Sequence, residues 1–201
     1  MSVKKLGAVV CEVADCRACL LWKTRRNAVP GEGNPKAMVM LVGEAPGRSE
    51  DIQGRPFVGA AGKFLETLLG EAGLSRADVF ICNVLKCRPP QNRPPKLEEI
   101  KTCTPYLDRQ MRAIKPTLIV ALGSFSTAYV FSKAGLAFSG ITEAHGKLYE
   151  ANVLGRKVTV FPTFHPAAAL YNPRYKELLI SDFKLLKHEL LKVGISCRLS
   201  S

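Results

Sequence analysis

The chain lacks any apolar run long enough to cross a membrane. Within its 201 residues, no stretch approaches the roughly 18 apolar residues of a spanning helix. The short apolar run Leu6–Cys11 is interrupted by Glu12 and Asp15 before any small-residue cleavage site, so it does not match an export signal. We therefore expect a cytoplasmic protein without a membrane partner.

The chain also lacks internal repeats, low-complexity segments and a phosphate-binding loop of the Gly-Lys-Ser/Thr kind. Its length and its hydrophobic content of 47% are typical of one compact domain. A disordered tail, a coiled coil and a disulfide mini-protein are excluded by the same numbers. We expect residues 1–201 to form a single domain.

Acidic residues are scarce relative to basic ones. The 29 Lys and Arg exceed the 17 Asp and Glu and leave a net charge of +12. Such a surplus on a small domain favours a polyanionic partner, most often nucleic acid. A solvated basic surface that only keeps the protein dissolved has the same composition. Charge alone leaves both interpretations open.

Seven cysteines are present, but an odd number at uneven spacing does not match a disulfide framework. Cys16 and Cys19 form a CxxC pair, while Cys87 and Cys103 lie in polar sequence, which is unusual for thiols that only pack in a core. Four thiolates can close a metal site, and this spacing does not separate zinc from an iron–sulfur cluster. Ordinary buried cysteine is the alternative, as we expect for Cys82.

Four short apolar runs predict buried parallel strands, since each is continuous and rich in β-branched residues. They cover 38–42, 79–84, 117–122 and 158–161, and 147–161 has the pattern of a hairpin. Helical patterns alternate with them at 59–69, 96–114, 124–133 and 174–193. This alternation predicts the α/β class: a three-layer α/β/α sandwich around a mainly parallel sheet of four to five strands.

Distinctive residues follow the carboxyl ends of these strands, where open α/β sheets place their reactive groups. Phe57, in the loop after the first strand, is equally suited to stack on a ligand or to anchor the next helix. Asn83 ends an apolar strand, where its amide suits either a base edge or a turn cap. His165 follows the fourth strand in a rigid His-Pro pair. Their shared edge favours a site.

Four motifs occur in order along the chain: Gly-Glu-Ala-Pro-Gly (43–47), Gly-Arg-Pro-Phe-Val-Gly (54–59), Asn-Val-Leu-Lys-Cys-Arg-Pro-Pro (83–90) and Phe-His-Pro-Ala-Ala (164–168). Together with the cysteines they resemble the family-4 uracil-DNA glycosylases, the iron–sulfur branch of the uracil glycosylase superfamily. The resemblance implies a hydrolase of N-glycosyl bonds that flips uracil out of DNA and excises it with water in base-excision repair. Uracil-containing DNA is then the partner of a monomer in a prokaryote-like cytoplasm, with access to the chromosome.

The same resemblance implies a [4Fe–4S] cluster on Cys16, Cys19, Cys87 and Cys103. The segment that binds this cluster at the N-terminal side is expected over about residues 11–36.

The resemblance also implies roles for residues of the matched motifs. The backbone of Glu44 and Ala45 would lie against uracil O2 and near the attacking water, with Glu44 as the nearby carboxylate. Phe57 would stack on the flipped base, and Asn83 would hydrogen-bond the uracil edge. His165 would stabilise the negative charge that develops at O2.

Two further residues complete this set. Glu50 matches the position that crowds C5 and rejects the methyl group of thymine. Leu170 is the candidate wedge that replaces the extruded base, within a minor-groove loop from His165 to Arg174. Ala45 stands where the best-known branch of the superfamily has an aspartate, so the resemblance does not identify the group that activates water.

A second function class fits the same composition. An iron–sulfur module that binds nucleic acid or transfers electrons, without glycosylase activity, needs the basic surface and the cysteines. It has no need of Phe57, Asn83 and His165 together. A relative with broader tolerance, for instance of hypoxanthine, is a variant of the enzymatic interpretation.

Overall fold

The computed structural model describes residues 2–192; Val193, the expected end of the last helix, and Cys197 lie outside them. Six strands form one sheet in the order β1-β3-β2-β4-β6-β5. The strands are β1 (Glu32–Gly33), β2 (Val39–Gly43), β3 (Val79–Asn83), β4 (Leu118–Leu122), β5 (Tyr149–Val153) and β6 (Arg156–Thr163). The central four are parallel, and β1 and β5 pair antiparallel at the two edges.

Seven helices accompany this sheet within the described residues. They are α1 (Ser2–Asp15), α2 (Arg48–Gln53), α3 (Ala60–Glu71), α4 (Leu97–Ile114), α5 (Ser124–Ala134), α6 (Ile141–Ala144) and α7 (Pro173–Lys192). Single 3₁₀ turns cover Leu20–Lys23, Pro90–Asn92 and Pro166–Leu170. In the part of the chain that is described, none of the helices is long and apolar enough to span a membrane.

Apolar side chains pack on both faces of the sheet, which explains why its central strands are continuously apolar. Alternate residues of β2 enter different clusters: Leu41 packs with α3 and α7, whereas Met40 packs with α1, α4 and α5. The helices therefore form one layer on each side, and the predicted α/β/α class is confirmed. The predicted hairpin is also present as β5 and β6.

The sheet has six strands rather than the predicted four to five, because β1 was missed. This strand has only two residues, too few for an alternating pattern. It reaches β3 through Gly33, whose φ is +128° and where a Cβ atom would lie 2.1 Å from the carbonyl oxygen of Val79. The pairing of β1 with β3 therefore depends on a close approach of the two backbones, which only glycine permits at this position.

The parallel strands end together and so bring distant segments of the chain to one edge. Gly43 at the end of β2 pairs with Asn83 at the end of β3, and Leu122 of β4 pairs with Thr163 of β6. The loop that carries His165 begins directly after β6. The site is built at this edge.

Candidate active site

A cavity of about 370 Å³ opens at the carboxyl edge of the sheet, within the usual range for small-molecule sites. All six residues that the sequence singled out for the pocket line it: Glu44, Ala45, Glu50, Phe57, Asn83 and His165. Leu170 is not among the lining residues; its side chain is 48% exposed at the end of the last 3₁₀ turn. The structure thus joins three separate stretches of chain around one hollow.

Asn83 presents an unpaired acceptor in this pocket. The residue is only 1% exposed, yet its Oδ1 has no hydrogen-bond partner in the structure. Gly43 makes room for it, because a Cβ atom there would lie 2.3 Å from Oδ1 and 2.7 Å from Cζ of Phe57. A buried acceptor without a partner is costly, so a ligand that donates a hydrogen bond here gains affinity.

Phe57 is both a core residue and a wall of the pocket. It belongs to the cluster on the α3 and α7 side, and its ring stacks on His165 with centroids 5.6 Å apart. Its φ is +51°, a conformation that is strained for a bulky residue. Gly62 permits the turn, since a Cβ atom there would lie 1.9 Å from the Phe57 carbonyl oxygen.

Glu50 holds the loop of Phe57 against the loop that follows β2. Its Oε1 accepts from the backbone N–H groups of Val58 and Gly59, both at 2.9 Å, and its Oε2 accepts from Gly47 at 3.1 Å. Both carboxylate oxygens are therefore occupied by protein donors. Glu50 is a fixed part of the wall, and the role expected for it against a methyl group stays a prediction.

Arg76 holds the same loop from the other side, although no motif in the sequence pointed to this residue. Its guanidinium donates to the carbonyl oxygens of Phe57 at 2.9 Å and Pro56 at 2.7 Å. A third bond, at 2.7 Å, goes to Glu32 of β1. The strained turn at Phe57 is thus clamped by a residue that precedes β3.

His165 is held as a neutral imidazole. Its Nδ1 accepts the backbone N–H of Ala167 at 3.2 Å, so the proton of the neutral ring is on Nε2. Desolvation by the surrounding protein lowers the pKa of His165 to about 4, although the nearby charge of Glu50 opposes this shift. Gly123 leaves room for the residue, since a Cβ atom there would lie 3.0 Å from the His165 Cβ. The ring is a hydrogen-bond donor that carries no charge at neutral pH.

Glu44 is the carboxyl group of the pocket that has an unusual affinity for a proton. Its side chain is half-buried, and burial raises its pKa above the ordinary value. A carboxylate with a raised pKa is a better proton acceptor. This property is what activation of a water molecule requires.

The rim of the pocket contains residues that the sequence did not single out: Pro89, Asn92, Arg93 and Tyr171. Tyr171 is 88% exposed, next to Leu170. Arg93 forms two bonds with Glu99, at 2.9 and 2.5 Å. Three sequence signals covered parts of this rim. The Pro-rich composition of 88–95 predicted a rigid surface loop, the motif 83–90 includes Pro89, and the minor-groove loop expected from His165 to Arg174 includes Tyr171.

The four cysteines expected to act together line a second, smaller cavity. Cys16, Cys19, Cys87 and Cys103 share it with Trp22, Lys86 and Tyr106. The Lys86 backbone N–H donates to Sγ of Cys103 at 3.2 Å, and Arg25 donates to Sγ of Cys87 at 3.0 Å. Cys82 is buried in the apolar core, as predicted.

Among residues 2–192, no three His, Cys, Asp or Glu side chains are arranged to hold a metal ion. The four cysteine side chains nevertheless line one cavity.

Comparison with known proteins agrees with the geometry. Residues 30–185 match the family model of the uracil DNA glycosylase superfamily. The chain is 56% identical over 177 residues to a type-4 uracil-DNA glycosylase of Sulfurisphaera tokodaii, covering 88% of this chain and 80% of the relative. It is 53% identical over 186 residues to that of Saccharolobus solfataricus, covering 92% and 86%.

A third relative covers still more of the chain. The type-4 uracil-DNA glycosylase of Archaeoglobus fulgidus is 51% identical over 195 residues, which is 97% of this chain and 94% of the relative. Each of the three matches covers more than four fifths of this chain. The chain belongs to the type-4 uracil-DNA glycosylases of the uracil DNA glycosylase superfamily.

Proposed function

We propose that the protein is a monofunctional uracil-DNA glycosylase. It flips uracil out of DNA and hydrolyses the N-glycosidic bond, so that water supplies the hydroxyl at C1′ and uracil leaves with the remaining proton. The abasic site is the substrate for base-excision repair. The observation that carries this proposal is the shared pocket of Phe57, Asn83 and His165, since a module that only binds DNA needs no such convergence.

Asn83 supports selection of uracil over cytosine. Its unpaired Oδ1 accepts a hydrogen bond from uracil N3–H, and its amide N–H₂ can donate to O4. Cytosine has an acceptor at N3 and an amino group at C4, so both contacts would be mismatched. Sites that leave buried polar groups unpaired reject the wrong ligand strongly.

His165 supports departure of the base. The leaving uracil carries negative charge, and a donor aimed at O2 stabilises it. The neutral His165 ring can donate from Nε2 to O2. Because the ring is uncharged, it needs no counter-ion before the negative charge develops on uracil. One such donor typically lowers the barrier by about 3–4 kcal/mol.

Water is the nucleophile in this proposal. No lysine lines the pocket in the described part of the chain, so no amine is in place to form a Schiff base with the sugar. Glu44, with its raised pKa, accepts the proton of the water molecule. Ala45 lies beside it without a carboxylate of its own.

Contacts to DNA lie around the pocket mouth. Leu170, about half exposed, takes the space of the extruded base, since apolar side chains of this kind insert between base steps. The excess of basic residues neutralises phosphates. The proposed partner is uracil-containing DNA, bound by a monomer in a cytoplasm with access to the chromosome.

The four cysteines fit a [4Fe–4S] cluster in the chemistry of their donor set. Four thiol side chains line one cavity, and N–H groups donate to two of the sulfurs, as iron–sulfur ligands require. The same four thiolates could also bind zinc, and it is the resemblance to the iron–sulfur branch that supports the cluster. Bound there, the cluster would supply a structural link rather than redox chemistry.

That link joins the beginning of the chain to its middle. Cys16 and Cys19 would connect the segment of about 11–36 to Cys87, which follows β3, and to Cys103 on α4. We include this segment in one domain with the rest of residues 1–201.

The decisive experiment is excision from matched oligonucleotides that contain U, T, hypoxanthine or C at one position. Abasic sites should form from U, and far more slowly from T and C. His165→Ala, assayed beside the wild type, shows whether a contaminant is responsible. If DNA is bound but no abasic site forms from any of the four, the alternative of an iron–sulfur binding module is correct.

A further inference from the structure

Lys86 lies between the two cavities and is not used by the proposed chemistry. It is 1% exposed and lines the cysteine cavity. Its Nζ donates to the backbone carbonyl of Asn83 at 2.7 Å and to Oε1 of Gln110 at 2.7 Å. Its backbone N–H donates to Sγ of Cys103. One residue therefore contacts the strand end that carries the pocket amide and a cysteine of the second cavity.

This buried ammonium group has only neutral oxygens as partners. Throughout residues 2–192, no carboxylate forms an ion pair with Lys86; its bonds go to a carbonyl and an amide. Burial of a charge without a counter-charge is strongly unfavourable. An anion close to Lys86 would offset this cost.

The cysteine cavity is where that anion would be. Four thiolates that hold an iron–sulfur cluster leave the assembly with a net negative charge, and Lys86 is part of the cavity wall. We propose that Lys86 is the counter-charge of the group bound by the four cysteines and the positioning residue that connects it to Asn83. The inference rests on the proposed function and extends it, because it makes the base pocket depend on the occupied cysteine site.

The surroundings of Lys86 extend this connection to the N-terminal segment. Gln110, which accepts from the Lys86 Nζ, donates through Nε2 to the carbonyl oxygen of Pro30 at 2.7 Å. The backbone N–H of Val29 donates to the carbonyl oxygen of Lys86 at 2.7 Å. Loss of the charge balance at Lys86 would therefore loosen both Asn83 and the segment at 29–30.

The test compares Lys86→Gln with Lys101→Gln in the iron-loaded protein. Lys101 is exposed on the helix that carries Cys103, so solvent screens its charge. Removal of the buried charge should make the midpoint potential of the iron chromophore more negative, because the reduced and more anionic form loses its counter-charge. Inhibition by free uracil should weaken about tenfold, equivalent to about 1.4 kcal/mol, and Lys101→Gln should change neither quantity.

A loaded Lys86→Gln protein with the wild-type midpoint potential and the wild-type uracil inhibition would overturn the proposal. The wild type itself provides a second measurement in case the variant does not fold. Coupling between sites is reciprocal, so saturating uracil should slow the release of iron to an oxidant and chelator several-fold, whereas cytosine should not. Equal release rates with uracil and cytosine would also overturn it.

The two proposals fail in different ways. A wild type that excises uracil, holds iron and shows no dependence on Lys86 contradicts only the role of this lysine. A wild type that excises no uracil contradicts the enzymatic function, whatever the behaviour of the variant.

Discussion

His165 has the protonation state that its proposed role requires, because of two features of its surroundings. The Ala167 N–H occupies Nδ1, and desolvation places its pKa at about 4 instead of the ordinary 6.5. Protonation would add a hydrogen at Nδ1, which could then no longer accept the hydrogen bond from the Ala167 N–H. The neutral form is therefore both the positioned form and the donor form.

Replacement of His165 by alanine should lower the excision rate about 100- to 1,000-fold, the usual effect of losing one such donor. Affinity for DNA should change little, since the bond strengthens mainly in the transition state. Single-turnover rates and binding measurements separate the two. In the wild type, His165 should cause no fall in rate near pH 6.5, because it is protonated only near pH 4. The decline on the acid side should begin with protonation of Glu44, since burial raises its pKa above the ordinary value.

Stability gives an independent check on the same residue. The unfolded chain binds a proton at His165 near pH 6.5, but the folded protein does so only near 4. Its contribution to the free energy of unfolding is thus complete above pH 6.5 and is lost as the pH falls toward 4, by about 3 kcal/mol. His165→Asn keeps an N–H donor and does not titrate, so it should lack this slope. An identical slope in both proteins would contradict the shifted pKa.

The positions of Phe57, Asn83 and His165 were predictable because each ends or follows an apolar strand, and parallel strands share one edge. Arg76 and Lys86 were not predictable in the same way. Each acts through backbone carbonyl groups, of Phe57 and Pro56 in one case and of Asn83 in the other. Backbone acceptors leave no residue-type signature in the sequence.

At the level of elements, the loop between α2 and α3 is the part most dependent on side chains from elsewhere. Glu50 bonds it from α2, and Arg76 bonds it from the turn that precedes β3. Such clamping is what allows Phe57 to keep a positive φ, a conformation that costs about 1–3 kcal/mol. The ring that faces the pocket is therefore placed before any ligand arrives.

Arg76→Gln should destabilise the protein by about 2 kcal/mol, since it removes charged hydrogen bonds to two carbonyl groups. It should also weaken inhibition by free uracil, because Phe57 is released. Arg55→Gln is the matched control: Arg55 also pairs with Glu32, but its side chain is 57% exposed and it does not bond the loop carbonyls. Such a surface pair contributes at most about 1 kcal/mol. Thermal unfolding and uracil inhibition that respond equally to both changes would contradict the clamp.

Element types were more predictable than the details of their ends. The apolar runs at 79–84 and 117–122 correspond to β3 and β4, and the helix predicted at 96–114 is α4, which runs through Pro105. Both faces of the sheet are covered, so continuous hydrophobicity marked the strands clearly. The two-residue β1 depends on Gly33 and its contact with β3, which no local pattern reports.

The net charge of the whole molecule has the sign that binding to DNA requires. The net charge of +12 left two interpretations open, and the structure places Arg93 on the pocket rim and Arg88 beside it, bonded to Asn92. Arg88 thus lies near the pocket rim, whereas the charge of Arg93 is already paired with Glu99.

Affinity for uracil-free DNA should fall steeply with salt. If six or more phosphates are contacted, the loss between 50 and 200 mM salt is about 1,000-fold or greater. Inhibition by free uracil, a neutral molecule, is the internal control and should be nearly independent of salt. A flat salt response for DNA would show that the surplus of charge serves solubility alone.

The close approach of Asn83 and Phe57 to Gly43 has a consequence for which lesions are repaired first. A pocket that strand ends already hold in place needs little rearrangement when a base enters it. The free energy of base flipping is then mainly the cost of unpairing and unstacking the base in the DNA. Uracil opposite guanine, or in an unpaired stretch, is easier to extrude than uracil opposite adenine, so we expect faster excision from guanine mismatches and unpaired stretches than from pairs with adenine.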